Sequence, residues 1–164
     1  MTAIIFPGQG SQYTGMSMDF NQNFEVSRRV FQEIEEYTKL NIRNIIAKND
    51  NNELNQTNYT QVSIFAASIV IFKTLINEFG LDKINPKIVL GHSLGEYSAL
   101  VANNSLSLKN ASILIKIRGN LMNSSIQPGK SSMAAVIGID CSSIEKIIDK
   151  YKLKIQIAND NSPM

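Results

Sequence analysis

Lys87-Ile88-Val89-Leu90-Gly91-His92-Ser93-Leu94-Gly95-Glu96 reads as a short buried strand, a sharp turn and the start of a helix. Ile88, Val89 and Leu90 form a brief apolar run after Pro86, which suits a buried parallel strand. Gly91 and Gly95 stand two residues to either side of Ser93, the G-x-S-x-G pattern of a nucleophile elbow. Such a turn is tight and strained, so it needs small flanking residues. It lifts a serine hydroxyl clear of the sheet and sets the N–H groups of the next helix beneath it. The plainer reading is a strand-to-helix turn with a serine N-cap.

Upstream, residues 2–6 form another short apolar run, ended by Pro7, and read as a first strand. The loop Pro7-Gly8-Gln9-Gly10-Ser11-Gln12 follows. Its two glycines allow backbone N–H groups to approach a ligand closely, and a plain strand-to-helix turn explains it equally simply. Phe24, Val30, Phe31, Ile34, Tyr37 and Leu40 recur at helical steps, which predicts a helix over 24–40 with Glu33, Glu35 and Glu36 on its solvated side. Residues 49–58 are polar and Asn-rich and read as a loop. Residues 60–79 predict a long helix, stopped by Gly80. From Gln61 to Phe72 that helix has no charge and is apolar nearly all round, so neighbours must bury it. Gln61 is either a cap-region residue or a polar group facing a cavity.

Downstream, residues 94–102 continue the helix after the elbow, and Asn103-Asn104 breaks it. Ser107 reads as the N-cap of a helix running to about residue 126. Arg118 shares a face there with Leu114, Leu121 and Met122. A cation on an apolar side needs a carboxylate partner. That partner is either a structural Asp or Glu, or a substrate carboxylate gripped by two parallel bonds. Pro128-Gly129-Lys130 reads as a turn. Beyond it, residues 132–139 read as a strand, Asp140 or Ser142 caps a short helix to about residue 151, and residues 153–158 read as another strand. Together they make a β-α-β unit.

Composition narrows the class. At 164 residues the chain holds one core, or one core and part of another. The formal charge of +2 points to neither nucleic acid nor an anionic membrane. No apolar run approaches the roughly 20 residues of a membrane span, and the N-terminus lacks a signal-peptide layout. The single Cys141 fits a reducing, cytoplasmic setting. The 12 Lys outnumber the 4 Arg, and with many Ile and Asn this resembles an AT-rich coding bias, which carries no chemistry.

With these stretches together, the sequence resembles the malonyl-CoA:acyl-carrier-protein transacylases of fatty acid synthesis, matching their N-terminal part. The motifs are Phe6-Pro7-Gly8-Gln9-Gly10-Ser11-Gln12, Thr60-Gln61, Gly91-His92-Ser93-Leu94-Gly95-Glu96-Tyr97-Ser98-Ala99-Leu100, Arg118-Gly119, Met133-Ala134-Ala135-Val136-Ile137-Gly138 and Asn159-Asp160-Asn161-Ser162-Pro163. The resemblance implies an α/β fold: an α/β-hydrolase-like acyltransferase core over 1–127, incomplete, and the first part of a ferredoxin-like β-α-β subdomain over 128–164. It implies ping-pong transfer in which Ser93 takes malonyl from malonyl-CoA and passes it to the phosphopantetheine thiol of acyl carrier protein. Leu94 and Gln9 N–H would form the oxyanion hole, Arg118 would hold the malonyl carboxylate, and Gln61 and His92 would line the site. No cofactor, metal, nucleic acid or membrane is implied, and the full-length form would be a monomer.

Family members run well beyond this stretch, and the family's catalytic His lies in that part. The expectation is therefore a truncated and inactive form. His92 directly precedes Ser93, where the elbow sends neighbouring side chains in different directions, so it is expected to be structural or site-lining. Two alternatives stand beside this reading: a serine thioesterase or esterase with the same elbow, and a non-catalytic module binding acyl-CoA or carrier protein.

Overall fold

Strands β1 (Thr2–Phe6) and β2 (Pro86–Gly91) pair in parallel, with Ile4 opposite Val89, Ile5 opposite Leu90 and Phe6 opposite Gly91. The structure is a computed structural model that describes residues 2–125, 130 and 132–162. Parallel neighbours need a long crossover. Here it is α1 (Met18–Asn23), α2 (Glu25–Thr38), α3 (Ile42–Lys48), a 3-10 turn (Asp50–Asn55), α4 (Thr57–Phe79) and α5 (Leu81–Ile84). After β2 come α6 (Gly95–Ala102) and α7 (Leu108–Ser124).

The core is organised by α4, which packs against α2, α3, α6 and α7. Phe31 and Ile34 from α2, Ile46 from α3, Phe65 and Ile69 from α4 and Ile115 from α7 are fully enclosed together. By length and composition α4 could cross a membrane, but 61% of its most apolar window lies buried inside the protein, which accounts for its character. A smaller cluster joins the sheet to these helices. Phe6 meets Phe72 edge-on at 5.9 Å, with Ala99, Ile4 and Val89 around them. The opposite sheet face stays open, with Ile5, Ile88 and Leu90 exposed.

Several boundaries differ from the sequence reading. The Asn-rich stretch is not plain loop. Asn49, Asn51 and Asn52 take left-handed backbone angles, which a short polar side chain tolerates, and the Asn49 side chain accepts from Leu54 N–H at 2.8 Å. This turn feeds α4 three residues earlier than periodicity indicated, at Thr57. Ser107 does cap α7, accepting from Asn110 N–H at 3.2 Å.

The chain divides into two compact units, Met1–Ile126 and Gln127–Met164. In the second, α8 (Cys141–Tyr151) is capped by Asp140, which accepts from Ser143 N–H at 2.8 Å. Neither expected strand forms: residues 132–139 and 153–158 carry no ladder, and Met133, Ile137 and Ile155 are exposed. Apolar side chains alone do not hold a strand whose N–H and C=O groups find no neighbouring strand. The expected turn at residues 128–130 and the end of α7 at residue 126 fall largely outside the described residues.

Candidate active site

The turn between β2 and α6 is fixed by β1. His92 N–H donates to Phe6 O at 3.0 Å, Gly95 N–H to His92 O at 2.9 Å and Glu96 N–H to Ser93 O at 3.2 Å. A Cβ on Gly91 would overlap the Gly95 carbonyl, and one on Gly95 would lie 2.8 Å from Pro7 O and nearer still to Phe6 O. The two glycines therefore let the turn close on itself and press against the end of β1. Between them Ser93 holds φ at +54°. A left-handed angle in a non-glycine residue costs about 1–2 kcal/mol and persists only where its surroundings enforce it. The half-buried Ser93 is thus a strained residue at the head of α6, with Leu94 fully buried behind it.

Arg118 reaches this serine from α7. The buried face of α7 is Ala111, Ser112, Ile115 and Gly119. Gly119 lies against the first turn of α4, where a Cβ would sit 3.1 Å from the Asn58 backbone and 3.4 Å from Gln61 Cβ. This close approach sets Arg118 beside Gln61. One guanidinium nitrogen donates to Ser93 Oγ at 2.9 Å, and the other terminal nitrogen donates to Gln61 Oε1. Gln61, only 1% exposed, donates from Nε2 to Gln9 Oε1 at 3.2 Å, with Met122 Sδ at 3.5 Å. Gln9 Nε2 in turn donates to Thr57 Oγ1 at 3.3 Å. Three distant motifs, the Gln9 loop, the start of α4 and the elbow, meet through one arginine.

Two parts of the sequence reading of Arg118 are corrected. Leu114, Leu121 and Met122 are exposed, so the face they share with Arg118 is not a core face. No carboxylate among the described residues pairs with Arg118 either. Among the described residues the ion pairs are Arg29–Glu25 and Arg43–Glu35, and Arg118 is bonded to neutral oxygens. A half-buried guanidinium with neutral acceptors retains its attraction for an incoming anion.

The remaining candidates sit around the serine. Among the described residues, neither Gln9 N–H nor Leu94 N–H is taken up by a backbone carbonyl. His92 is exposed and its ring lies against Gly8, where a Cβ would fall 2.5 Å from Nδ1. No group of three His, Cys, Asp or Glu able to hold a metal occurs among the described residues. An apolar groove of about 420 Å³ runs along β1 and α4, lined by Ile4, Phe6, Tyr13, Phe72 and Leu75 among others, and does not include Ser93. Sequence reading missed Thr57, which the loop assignment hid. Its i, i+4 spacing to Gln61 was the available signal, once the helix is extended by one turn.

Residues 3–163 match the family model described as an acyl transferase domain. The malonyl CoA-acyl carrier protein transacylase of Bacillus subtilis (strain 168) is 35% identical over 164 residues, covering 98% of this chain and 50% of that protein. The Haemophilus influenzae protein of the same name is 34% identical, covering 98% of this chain and 52% of its own length. Among solved structures, an acyl-carrier-protein S-malonyltransferase from Bartonella henselae aligns with a TM-score of 0.84 at 38% identity, over 99% of this chain and 52% of that one. A malonyl-transacylase solved with its type II PKS acyl-carrier protein aligns with a TM-score of 0.82 at 35% identity, over 90% of this chain and 47% of that one. The chain spans about half the length of the curated relatives it matches.

Proposed function

This chain belongs to the acyl transferase domain family, and from that premise we propose that it carries the nucleophile and the carboxylate-binding group of a malonyl transferase. The single observation that carries the reading is the guanidinium of Arg118 hydrogen-bonded to Ser93 Oγ. A nucleophilic serine with a cation at its side suits an acyl donor that bears a carboxylate.

In the first half-reaction Ser93 Oγ attacks the thioester carbonyl of malonyl-CoA and the coenzyme A thiolate leaves. The malonyl carboxylate takes the bond that Arg118 gives to Ser93 Oγ, so substrate binding and release of the hydroxyl are one exchange. Gln9 and Leu94 N–H receive the developing oxyanion; removing one such donor typically costs about 10²–10³ in rate. In the second half-reaction the phosphopantetheine thiol of acyl carrier protein attacks the Ser93 ester and regenerates the hydroxyl. The proton of Ser93 needs a base. His92, the one histidine of the sequence, is assigned to lining the site beside Gly8, and the base to residues outside these 164. The 164 residues alone are accordingly expected to turn over slowly, since a general base contributes about 10²–10⁴-fold. The full-length form is proposed to be a cytoplasmic monomer. Its α/β-hydrolase-like core, residues 1–127, bears the elbow, and a ferredoxin-like subdomain begins at residue 128.

The test is intact-mass analysis of the full natural protein carrying this chain after treatment with malonyl-CoA. A covalent adduct that Ser93→Ala abolishes is expected, and an adduct that survives Ser93→Ala refutes the assignment. Release of that adduct to water rather than to carrier protein would make the protein a thioesterase. Binding of malonyl-CoA with no adduct would make it a non-catalytic module.

A further inference from the structure

Four hydrogen bonds join five side chains into one chain of fixed direction. A guanidinium carries donors only. Arg118 gives one N–H to Ser93 Oγ and another to Gln61 Oε1, which turns the Gln61 amide nitrogen away from it. Gln61 Nε2 therefore needs an acceptor and finds Gln9 Oε1 at 3.2 Å. That in turn points Gln9 Nε2 outward, where Thr57 Oγ1 accepts at 3.3 Å. Every link is oriented by the one before it, and the last must be an acceptor.

We infer that Thr57 is a positioning residue for substrate selection, ending the hydrogen-bond chain Arg118–Gln61–Gln9–Thr57 and so anchoring the Gln9 side chain against Gln61. The two ends of this chain differ in their access to water. Gln61 is almost fully enclosed. If the Gln9 amide turned over, it would present NH2 to the NH2 of Gln61, and the inner link would break. Gln9 is exposed, so keeping its side chain within reach of Gln61 rests on an outer partner as well. Thr57 suits that role because it is the first residue of α4, one turn before Gln61 on the same helix, with its backbone already fixed. The aim of the guanidinium matters to a substrate that bears a carboxylate and not to one that lacks it. Thr57 therefore acts on malonyl preference rather than on the acyl-transfer step. The inference rests on the malonyl-transfer reading above.

The experiment measures transfer from malonyl-CoA and from acetyl-CoA to acyl carrier protein by the full natural protein. The variants are Thr57→Val, which keeps the branched shape and removes the acceptor, and Thr57→Ser, which keeps the acceptor. Thr57→Val should raise KM for malonyl-CoA by about two- to tenfold, the range of one neutral hydrogen bond. It should leave kcat and acetyl transfer nearly unchanged, and Thr57→Ser should restore the wild-type KM. In a Gln61→Ala background, where the chain is already cut, Thr57→Val should add nothing. Thermal unfolding checks folding, and Thr57→Ala serves in place of Thr57→Val if the latter is unstable. Equal loss on both substrates, lack of rescue by serine, additivity with Gln61→Ala, or an unchanged malonyl preference overturns the inference. A wild type that forms the Ser93 adduct while Thr57→Val keeps its preference refutes this inference alone. A wild type that forms no adduct refutes the malonyl-transfer reading and this inference with it.

Discussion

Replacing Arg118 with alanine tests the site most directly, because one side chain links the nucleophile to the rest of the polar network. The substitution removes the donor to Ser93 Oγ and the donor to Gln61 Oε1 together. A hydrogen bond to a charged group contributes about 1.5–3 kcal/mol. Losing one such bond to the malonyl carboxylate corresponds to about 10- to 150-fold in kcat/KM at ~1.4 kcal/mol per decade. Acetyl-CoA has no carboxylate to lose, so acetyl transfer should hold or rise, and the malonyl-to-acetyl ratio should fall by at least tenfold. Stability should fall as well. Gln61 is 1% exposed, and its oxygen would be left without a donor, which costs about 1–3 kcal/mol. Arg118→Lys should recover part of the ratio, because it keeps the charge but not the planar fork. The assay is initial rates with both acyl donors at matched concentrations, alongside urea unfolding. If Arg118→Ala lowers both transfers by the same factor and destabilises the fold, the arginine is a structural strut and the selection argument fails.

Two further outcomes follow from the elbow and from α8. Gly95→Ala places a methyl against Phe6 O and Pro7 O, both backbone atoms that cannot swing aside. It should cost about 1–3 kcal/mol in urea unfolding and abolish Ser93 acylation, and a variant acylated at the wild-type rate would show that the turn does not set the serine. At α8, hydrogen bonds from the Ser142 hydroxyl, then the Ser143 N–H and hydroxyl, hold the Asp140 carboxyl down to about 2, below the usual carboxylate range. A depressed carboxyl stabilises the folded form above its unfolded pKa and loses that contribution as pH falls through the folded one. The protection factor of the Ser143 amide, which removes the intrinsic pH dependence of exchange, should therefore be level from neutrality down to about pH 4 and fall as pH drops toward 2. Asp140→Asn, which keeps an acceptor without the charge, should flatten that dependence, and an unchanged acid limb would rule out Asp140 as its source.

Legibility in the sequence followed whether a signal was local. The elbow was readable because its glycines, its strand and its serine are contiguous, and the turn needs all three at fixed spacing. The burial of α4 was readable because a helix without a polar face must be enclosed. The strands around α8 were misread because the apolar residues at 132–139 and 153–158 report what a strand would bury, not whether a neighbour exists to pair with it. Thr57 was lost because Asn49, Asn51 and Asn52 look like loop, while their left-handed turn delivers the chain into α4 a turn early. The surroundings of Arg118 were misjudged for a related reason. Helical spacing showed that it shares a face with Leu114, Leu121 and Met122, but only packing shows that the buried face of α7 is the one bearing Ile115 and Gly119.

The same packing explains how a strained serine and a partly buried cation are held together. Ser93 sits in a conformation that costs about 1–2 kcal/mol, and the unbonded chain would relax it. Two anchors prevent this. The hydrogen bond from His92 N–H to Phe6 O ties the turn to β1, and Leu94 is sealed into the main core next to α4. The first two turns of α4 also carry Gln61 and touch Gly119 beside Arg118. One helix therefore fixes both the partner of the guanidinium and the wall behind the serine. Burying a core side chain of α4 such as Phe65 contributes far more than the strain removes, because truncating a buried phenylalanine typically costs about 3–5 kcal/mol. The excess is what allows the site to hold a left-handed serine, a cation without a carboxylate and a buried glutamine in register.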